Sequence, residues 1–272
     1  PTTVSGVVSA RHQPTVTNPL LAASLIELVV GAACLLVAAA AVPYRSRPGG
    51  TPLVLLGVGG GAWAATAAAA SLFADPTLTM WAQRGTYAST GVVSVCWFYV
   101  VVGYTRRIWW TRPRALAAVA GLLALDWLVL ATDPVHRLVI ADSTTVSHIG
   151  AIDPTPGALL WVTAAWKVAF LVAGIAFVTG DLTTHRGVYR RQSLAMVAAG
   201  VLPLSAALVE VLDLAAVPGL DVGVLGVGAS AVVVFWALGY TRFLDAVPVA
   251  RRSLFVSMAD AVPPAHPPRG LI

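Results

Sequence analysis

The stretch LLAASLIELVVGAACLLVAAAAVPYRSR, residues 20–47, decides the fold. Its first part, Leu20–Val42, carries one ionisable side chain, Glu27, and is followed by Pro43 and then Arg45 and Arg47. A continuous apolar run of this kind matches the roughly 20 residues that a helix needs to cross a hydrocarbon core. The strands of a membrane barrel are about half as long and alternate apolar with polar, and this run does not. No basic stretch leads into it and arginines follow it, so it reads as a first spanning helix and not as a cleaved leader.

Six more runs repeat the pattern: Pro52–Ala74, Tyr87–Tyr104, Arg114–Ala131, Gly157–Gly180, Gln192–Leu214 and Val222–Tyr240. Proline and glycine mark their borders, as at Pro43, Pro48-Gly49-Gly50, Pro76, Pro113, Pro154, Pro156 and Pro218-Gly219. A chain that is 58% hydrophobic and 11% charged cannot clothe a water-soluble globule, whereas a lipid-facing bundle needs no such cover. The expected architecture is all-α: a polytopic membrane protein with a seven-transmembrane-helix bundle. Residues 1–19 form an extracellular segment, 20–242 the membrane domain, and 243–272 an exit helix with a proline-rich tail.

Arginine sets the orientation. Arg45, Arg47, Arg106, Arg107, Arg112, Arg114, Arg186, Arg190, Arg191, Arg242, Arg251, Arg252 and Arg269 fall on one set of connectors, against Arg11, Arg84 and Arg137 on the other. The positive-inside rule then puts the N-terminus outside, the C-terminus in the cytoplasm and the chain in the plasma membrane as a multi-pass protein. The net charge of +5 reads as topology and headgroup anchoring, and no nucleic-acid partner is expected. Trp109, Trp110 and Tyr104 beside the arginines, with Trp81 and Tyr87 opposite, read as interfacial belts. Cys34 and Cys96 lie inside apolar runs and read as small buried hydrophobes.

Within the runs, Gly57-Val-Gly-Gly-Gly61, and Gly226 with Ser230, form small-residue faces for close helix packing, either inside the bundle or across a dimer. Pro203 falls mid-run in the sixth helix, where it removes a backbone donor and makes a hinge. Five ionisable residues enter the spans: Glu27, Asp126, Lys167, Glu210 and Asp213. Such groups are costly in a bilayer and usually face a bundle interior. Given the orientation, Asp126 falls in the outer third of its run and Lys167 near mid-bilayer, while the inner halves hold no ionisable residue. This lopsided polarity points to a cavity open to the exterior. Lys167, the only lysine, expects a carboxylate partner, with Trp166 beside it. The alternatives here are a structural ion pair and a pocket that reads a ligand or a proton. Carboxylates outnumber the lysine, so a cation or a proton fits better than an anion.

A lone intramembrane lysine invites a retinal reading, but microbial rhodopsins carry that lysine in the last helix and Val222–Tyr240 has none. No cofactor is expected. Asp133 and His136 have helical ligand spacing, yet a solvated outer loop, 133–156, accounts for them without a metal. No nucleophile elbow, zinc-binding helix motif or phosphate loop occurs, so no catalytic residue is assigned.

Several short motifs, in order, resemble one family. Trp97-Phe98-Tyr99 leads to Gly103-Tyr104-Thr105-Arg106. Thr132-Asp133-Pro134-Val135-His136 closes the fourth run, with Asp133 where the family commonly has asparagine. Val188-Tyr189-Arg190-Arg191-Gln192 leads to Gly200-Val-Leu-Pro203, Leu220-Asp221 precedes the last run, and Leu244-Asp245 to Asp260 follows it. Together they are similar to the seven-helix N-terminal sensor region found ahead of histidine kinases in archaea, haloarchaea above all, and in bacteria. The resemblance implies a sensor or receptor of two-component type, whose last helix relays a signal to a cytoplasmic histidine kinase or to a dimer mate. Arg190, Arg191, Gln192, Pro248 and Arg251 are the relay candidates that follow from it.

The chain departs from the family after Asp260, where Ala-Val-Pro-Pro-Ala-His-Pro-Pro cannot extend a helix. Neither a phospho-acceptor helix nor an ATP-binding glycine motif is present, so the chain reads as a sensor without its kinase or as a truncated one, and not as an enzyme. Leu244, Val247, Leu254 and Met258 recur near heptad spacing. That suits either a dimer exit or an amphipathic segment on the membrane surface. A small-solute or proton-coupled transporter is the rival reading. It would need a polar route through both halves, and the runs do not offer one.

Overall fold

The computed structural model describes residues 19–73, 75–141, 145–146, 152–153, 155–182, 188–212 and 219–241. Those residues form α1 (Pro19–Ala41), α2 (Gly50–Leu72), α3 (Pro76–Thr105), α4 (Pro113–His136), α5 (Ala158–Leu182), α6 (Val188–Val211) and α7 (Val222–Thr241). The fold is all-helical. Six of these helices are long and apolar enough to cross a membrane, and the apolar stretch of α7, Val222–Ala237, is shorter. Within the α4–α5 connection a two-residue ribbon pairs β1 (Thr145–Val146) antiparallel with β2 (Ile152–Asp153), Thr145 opposite Asp153.

Two helices run well past the apolar stretches that announce them. α3 begins at Pro76 because the Asp75 carboxylate accepts from the N–H groups of Thr77 and Leu78 (2.7 and 3.2 Å), and proline suits the first helical position. Trp81 and Arg84 therefore sit on α3, not in a connector. α4 continues through Pro134 to His136 and ends at Arg137, whose φ of 54° is a left-handed cap.

α1, α2, α3, α5, α6 and α7 are packed in that cyclic order, with α7 closing back onto α1 and α2, while α4 lies outside against α3. The buried stripe of α1 runs Ala23, Ser24, Glu27, Gly31, Cys34, Val37, Ala38, a spacing of three and four that aims Glu27 inward. The core centres on Trp97 and Val100 of α3, with Cys34, Leu53, Leu171, Ala199 and Val227 from the other ring helices. Close approach of α1 to α2 depends on glycine. A Cβ on Gly57 would stand 2.6 Å from the Cys34 carbonyl oxygen and 2.8 Å from the Ala38 Cβ. On α7, a Cβ at Gly226 would meet Ala206 Cβ at 2.7 Å and Pro203 Cα at 2.9 Å. Both small-residue faces are thus used inside the chain.

Arg45, Arg47, Arg106, Arg107, Arg112, Arg114, Arg190 and Arg191 gather at one end of the bundle, where α2, α4 and α6 begin. The start of α7 lies at the other. Asp181, in the last turn of α5, belongs to the arginine-rich end, so that end carries a carboxylate beyond the apolar run. Trp110 and Tyr104 are engaged in packing, the first edge-on to Phe98 and the second hydrogen-bonded to Ser193 at 2.9 Å, whereas Trp109 and Trp81 are exposed as a belt requires.

Gly57→Val should lower bundle stability by about 1–3 kcal/mol through overpacking. Gly121→Ala, whose new methyl meets nothing within 4 Å, should leave it level or slightly raised. Thermal unfolding in detergent, followed by tryptophan emission, compares the two.

Candidate functional site

The first turn of α7 collects side chains from three other helices. Asp221, just before the helix, accepts from the Val224 N–H through Oδ1 (3.0 Å), as an N-cap does. Its own N–H donates to Glu27 Oε1 of α1 (3.0 Å), and the Gly223 N–H donates to Glu210 Oε1 of α6 (2.9 Å). Trp63 of α2 donates through Nε1 to Asp221 Oδ2 at 2.9 Å. Gly223 lets that indole lie close, since a Cβ there would be 2.6 Å from Trp63 Cζ2. Three carboxylates thus converge on the positive end of one helix dipole, with N–H groups as the donors described around them. Glu27 is fully buried and its Oε2 has no partner, whereas Glu210 is exposed, so the cluster runs from the bundle surface to its interior.

A second polar centre joins α4 and α5. Lys167 Nζ stands 3.3 Å from Asp126 Oδ2, donates to the Tyr87 carbonyl oxygen of α3 at 2.8 Å and lies 5.6 Å from the Trp166 ring centroid. Both charged side chains are buried. The pair is an ion pair by distance, but its geometry leaves both Asp126 oxygens without an aligned hydrogen bond. Gly91 makes room for it: a Cβ there would meet Trp166 at 3.2 Å and Asp126 Oδ2 at 3.3 Å. At 1.5 Å per residue, Lys167 lies about 14 Å along α5 from Ala158 and Asp126 about 15 Å from the His136 end of α4. Asp126 is therefore mid-helix, because α4 continues past its apolar run to His136.

Asp133 is a buried hub and no part of a solvated loop. Arg84 donates to its Oδ2 from Nε and Nη2 (3.1 and 3.0 Å), and the Val139 and Ile140 N–H groups donate to its Oδ1 (2.8 and 3.3 Å). His136 Nδ1 lies 3.8 Å from Asp133 Oδ1 but accepts from the Leu138 N–H at 3.1 Å. That nitrogen therefore carries no proton, and the contact is not an ion pair. Among the described residues no group of three His, Cys, Asp or Glu could hold a metal ion.

Pro203 lacks the N–H that would bond the carbonyl four residues back, Ala199. The Ser230 hydroxyl of α7 stands 2.8 Å from Ala199 O and 2.8 Å from Gly226 O of its own helix. It has one proton and two carbonyls, so donating to one forfeits the other.

The profile of the N-terminal 7TM region of histidine kinase matches residues 26–248. The chain belongs to this family. It is a membrane sensor region of two-component signalling, and the matched region is not a catalytic domain. Among curated proteins none matches the chain.

In this 7TM region, the sequence candidates form two groups and not one cavity: Asp126 with Lys167 and Trp166, and Glu27 with Glu210. Asp213, Pro248 and Arg251 lie outside the described residues. Arg190 and Arg191 are exposed at the start of α6, and Gln192 is buried beside them. Asp221, Trp63 and Ser230 were not singled out as site residues. The acidic residue after Pro218-Gly219, directly ahead of an apolar run, is a cap signal that could have found Asp221.

Removing one member of a buried pair strands the other. Asp126→Leu alone should cost about 3–5 kcal/mol, and adding Lys167→Met should recover most of it. Thermal unfolding of the two variants decides this. Ser230→Ala should cost about 1 kcal/mol in the parent chain and clearly less in a Pro203→Ala background, where the helix supplies its own donor to Ala199. A double-mutant cycle measures that difference.

Proposed function

We propose that this 7TM region receives a proton or a small cation from outside the cell at the Glu27–Glu210–Asp221 cluster and passes the change along α6 and α7. The single observation that carries the reading is the convergence of carboxylates from α1 and α6 on the first turn of α7. α7 is the helix that leads to the exit segment, so whatever alters charge at its start acts on the element nearest the output. Like charges at Glu210 and Asp221 repel until one is neutralised or bridged. The hydrogen bonds that place α7 are made by those same oxygens.

In this reading the N-terminus faces outward and the C-terminus the cytoplasm of a cell with the chain in its plasma membrane. The arginine-rich end supports that orientation. Pro203 is the hinge, and Ser230 links α7 to the carbonyl the hinge exposes. Arg190, Arg191 and Gln192, with Pro248 and Arg251 beyond α7, meet a cytoplasmic histidine kinase or a second copy of the chain. Asp126, Lys167 and Trp166 hold α4 and α5 in register during the change.

Nitroxides at Leu194→Cys and Phe235→Cys, in a chain with Cys34 and Cys96 replaced by alanine, report the α6–α7 distance at the arginine-rich end in nanodiscs. The distance should change between about pH 8 and about pH 5, or on adding Na⁺ or Ca²⁺ at fixed pH. Glu27→Gln together with Glu210→Gln should abolish the response. An unresponsive parent chain, or a double variant that responds like the parent, would overturn the proposal.

A further inference from the structure

The short 3₁₀ turn Ile108–Thr111 joins α3 to α4 at the arginine-rich end. It is held from inside the bundle. Trp110 meets Phe98 edge-on at 5.0 Å, and the Arg107 guanidinium stands 4.1 Å from the Phe177 ring centroid on α5. Its backbone is closed as well, the Trp110 N–H donating to Arg107 O (3.1 Å) and the Arg112 N–H to Trp109 O (3.3 Å). With Trp110 and Arg107 committed to the bundle, Ile108 and Trp109 stand outward, 74% and 59% exposed. A pinned backbone therefore presents two large apolar side chains beyond the helix ends.

The charge around them is of one sign. Arg106, Arg112 and Arg114 flank the pair and are all exposed. Among the described residues none of these three guanidinium groups has an ion pair, a hydrogen bond or a ring contact. α4 has no acidic residue in its first turn, and Asp181, the one described carboxylate of this end, has a contact of its own. The apolar surface continues from the turn onto α4, where Leu116 is exposed. Three cations without a counter-charge, set beside side chains that lead into the hydrocarbon, ask for an anion joined to an acyl chain. An acidic soluble protein would meet the charge but not the apolar continuation along a spanning helix. A zwitterionic lipid would meet the apolar side, but its own ammonium offsets the phosphate.

We propose that the α3–α4 turn is a binding site for an anionic phospholipid. Arg106, Arg112 and Arg114 hold the headgroup, Ile108 and Trp109 lie at the acyl boundary, and an acyl chain follows α4 past Leu116. The site is separate from the carboxylate cluster and stands whether or not that cluster reads protons or cations.

Protein in dodecyl maltoside micelles, labelled with fluorotryptophan, shows its nine tryptophans by ¹⁹F resonance, and Trp109→Phe identifies the Trp109 signal. Phosphatidylglycerol should move that signal and saturate, and phosphatidylcholine should need about tenfold more lipid. Glycerol phosphate and poly-glutamate carry charge without acyl chains and should leave the signal in place. Arg112→Gln with Arg114→Gln should raise the half-saturating phosphatidylglycerol about tenfold. Arg190→Gln with Arg191→Gln removes equal charge from the same end and should change it less than about twofold. The other eight signals report whether each variant keeps its fold, and Arg106→Gln is the milder test if the first pair does not. Equal loss from the two pairs, or no loss from Arg106→Gln where it alone folds, would overturn the assignment to this turn. Equal binding of the two lipids, or a Trp109 signal that none of the probes moves, would overturn the anionic lipid. So would saturation by glycerol phosphate or poly-glutamate, which would make the occupant a free phosphate or an acidic protein.

Discussion

The first turn of α7 is the constraint on which the rest of the bundle depends. A helix that starts inside a membrane protein exposes N–H groups with no water to satisfy them. Here the donors are met by Asp221 itself, by Glu27 from α1 and by Glu210 from α6, while Trp63 from α2 holds the Asp221 carboxylate in place. Ser71 of α2 adds a bond to the Gly219 carbonyl oxygen at 3.1 Å. One backbone end therefore fixes the relative positions of α1, α2, α6 and α7. The same groups that satisfy it carry charge, so the geometry and the ionisation of this end cannot vary independently.

The α6–α7 pair carries that dependence toward the arginine-rich end. Two polar links bracket the proline: Glu210 to the Gly223 N–H on one side, and Ser230 to Ala199 O on the other. Between them the small face of Gly226 lies on Pro203, so the two helices are in backbone-close contact where α6 is weakest. A proline alone would only soften α6. In the relay proposed above, the Ser230 hydroxyl on the facing helix, within 2.8 Å of both Ala199 O and Gly226 O, is the group that would choose between two arrangements.

How much of this the sequence disclosed follows from the kind of signal each feature leaves. The helices were legible because each apolar run is continuous, and the inward side of Glu27 follows from spacing along α1. Pro203 and the lone Lys167 are single-residue signals and were legible too. The extra turns of α3 and α4 were not, because Gln83, Arg84 and Asp133 break apolarity without breaking a helix. Nor could spacing disclose that Asp126 serves Lys167 while Glu27 and Glu210 serve α7. That division depends on the ring order, in which α7 closes against α1 and α4 lies outside, and no local pattern encodes it.

The placement of α4 outside the ring gives its two buried aspartates a particular meaning. α4 buries Val119, Asp126, Leu130 and Asp133, so half of its buried stripe is anionic. Each aspartate meets a cation on a ring helix, Lys167 of α5 and Arg84 of α3. Apolar replacements of like volume would hold a helix to a bundle at lower desolvation cost, so attraction alone does not explain these pairs. What an apolar stripe cannot supply is register. Leucines can slide along an apolar groove with little penalty, whereas moving α4 by one turn would part Asp126 from Lys167 and Asp133 from Arg84. α4 is thus keyed to the bundle at two heights. The change proposed at α6 and α7 then takes place against a fixed wall formed by α3, α4 and α5.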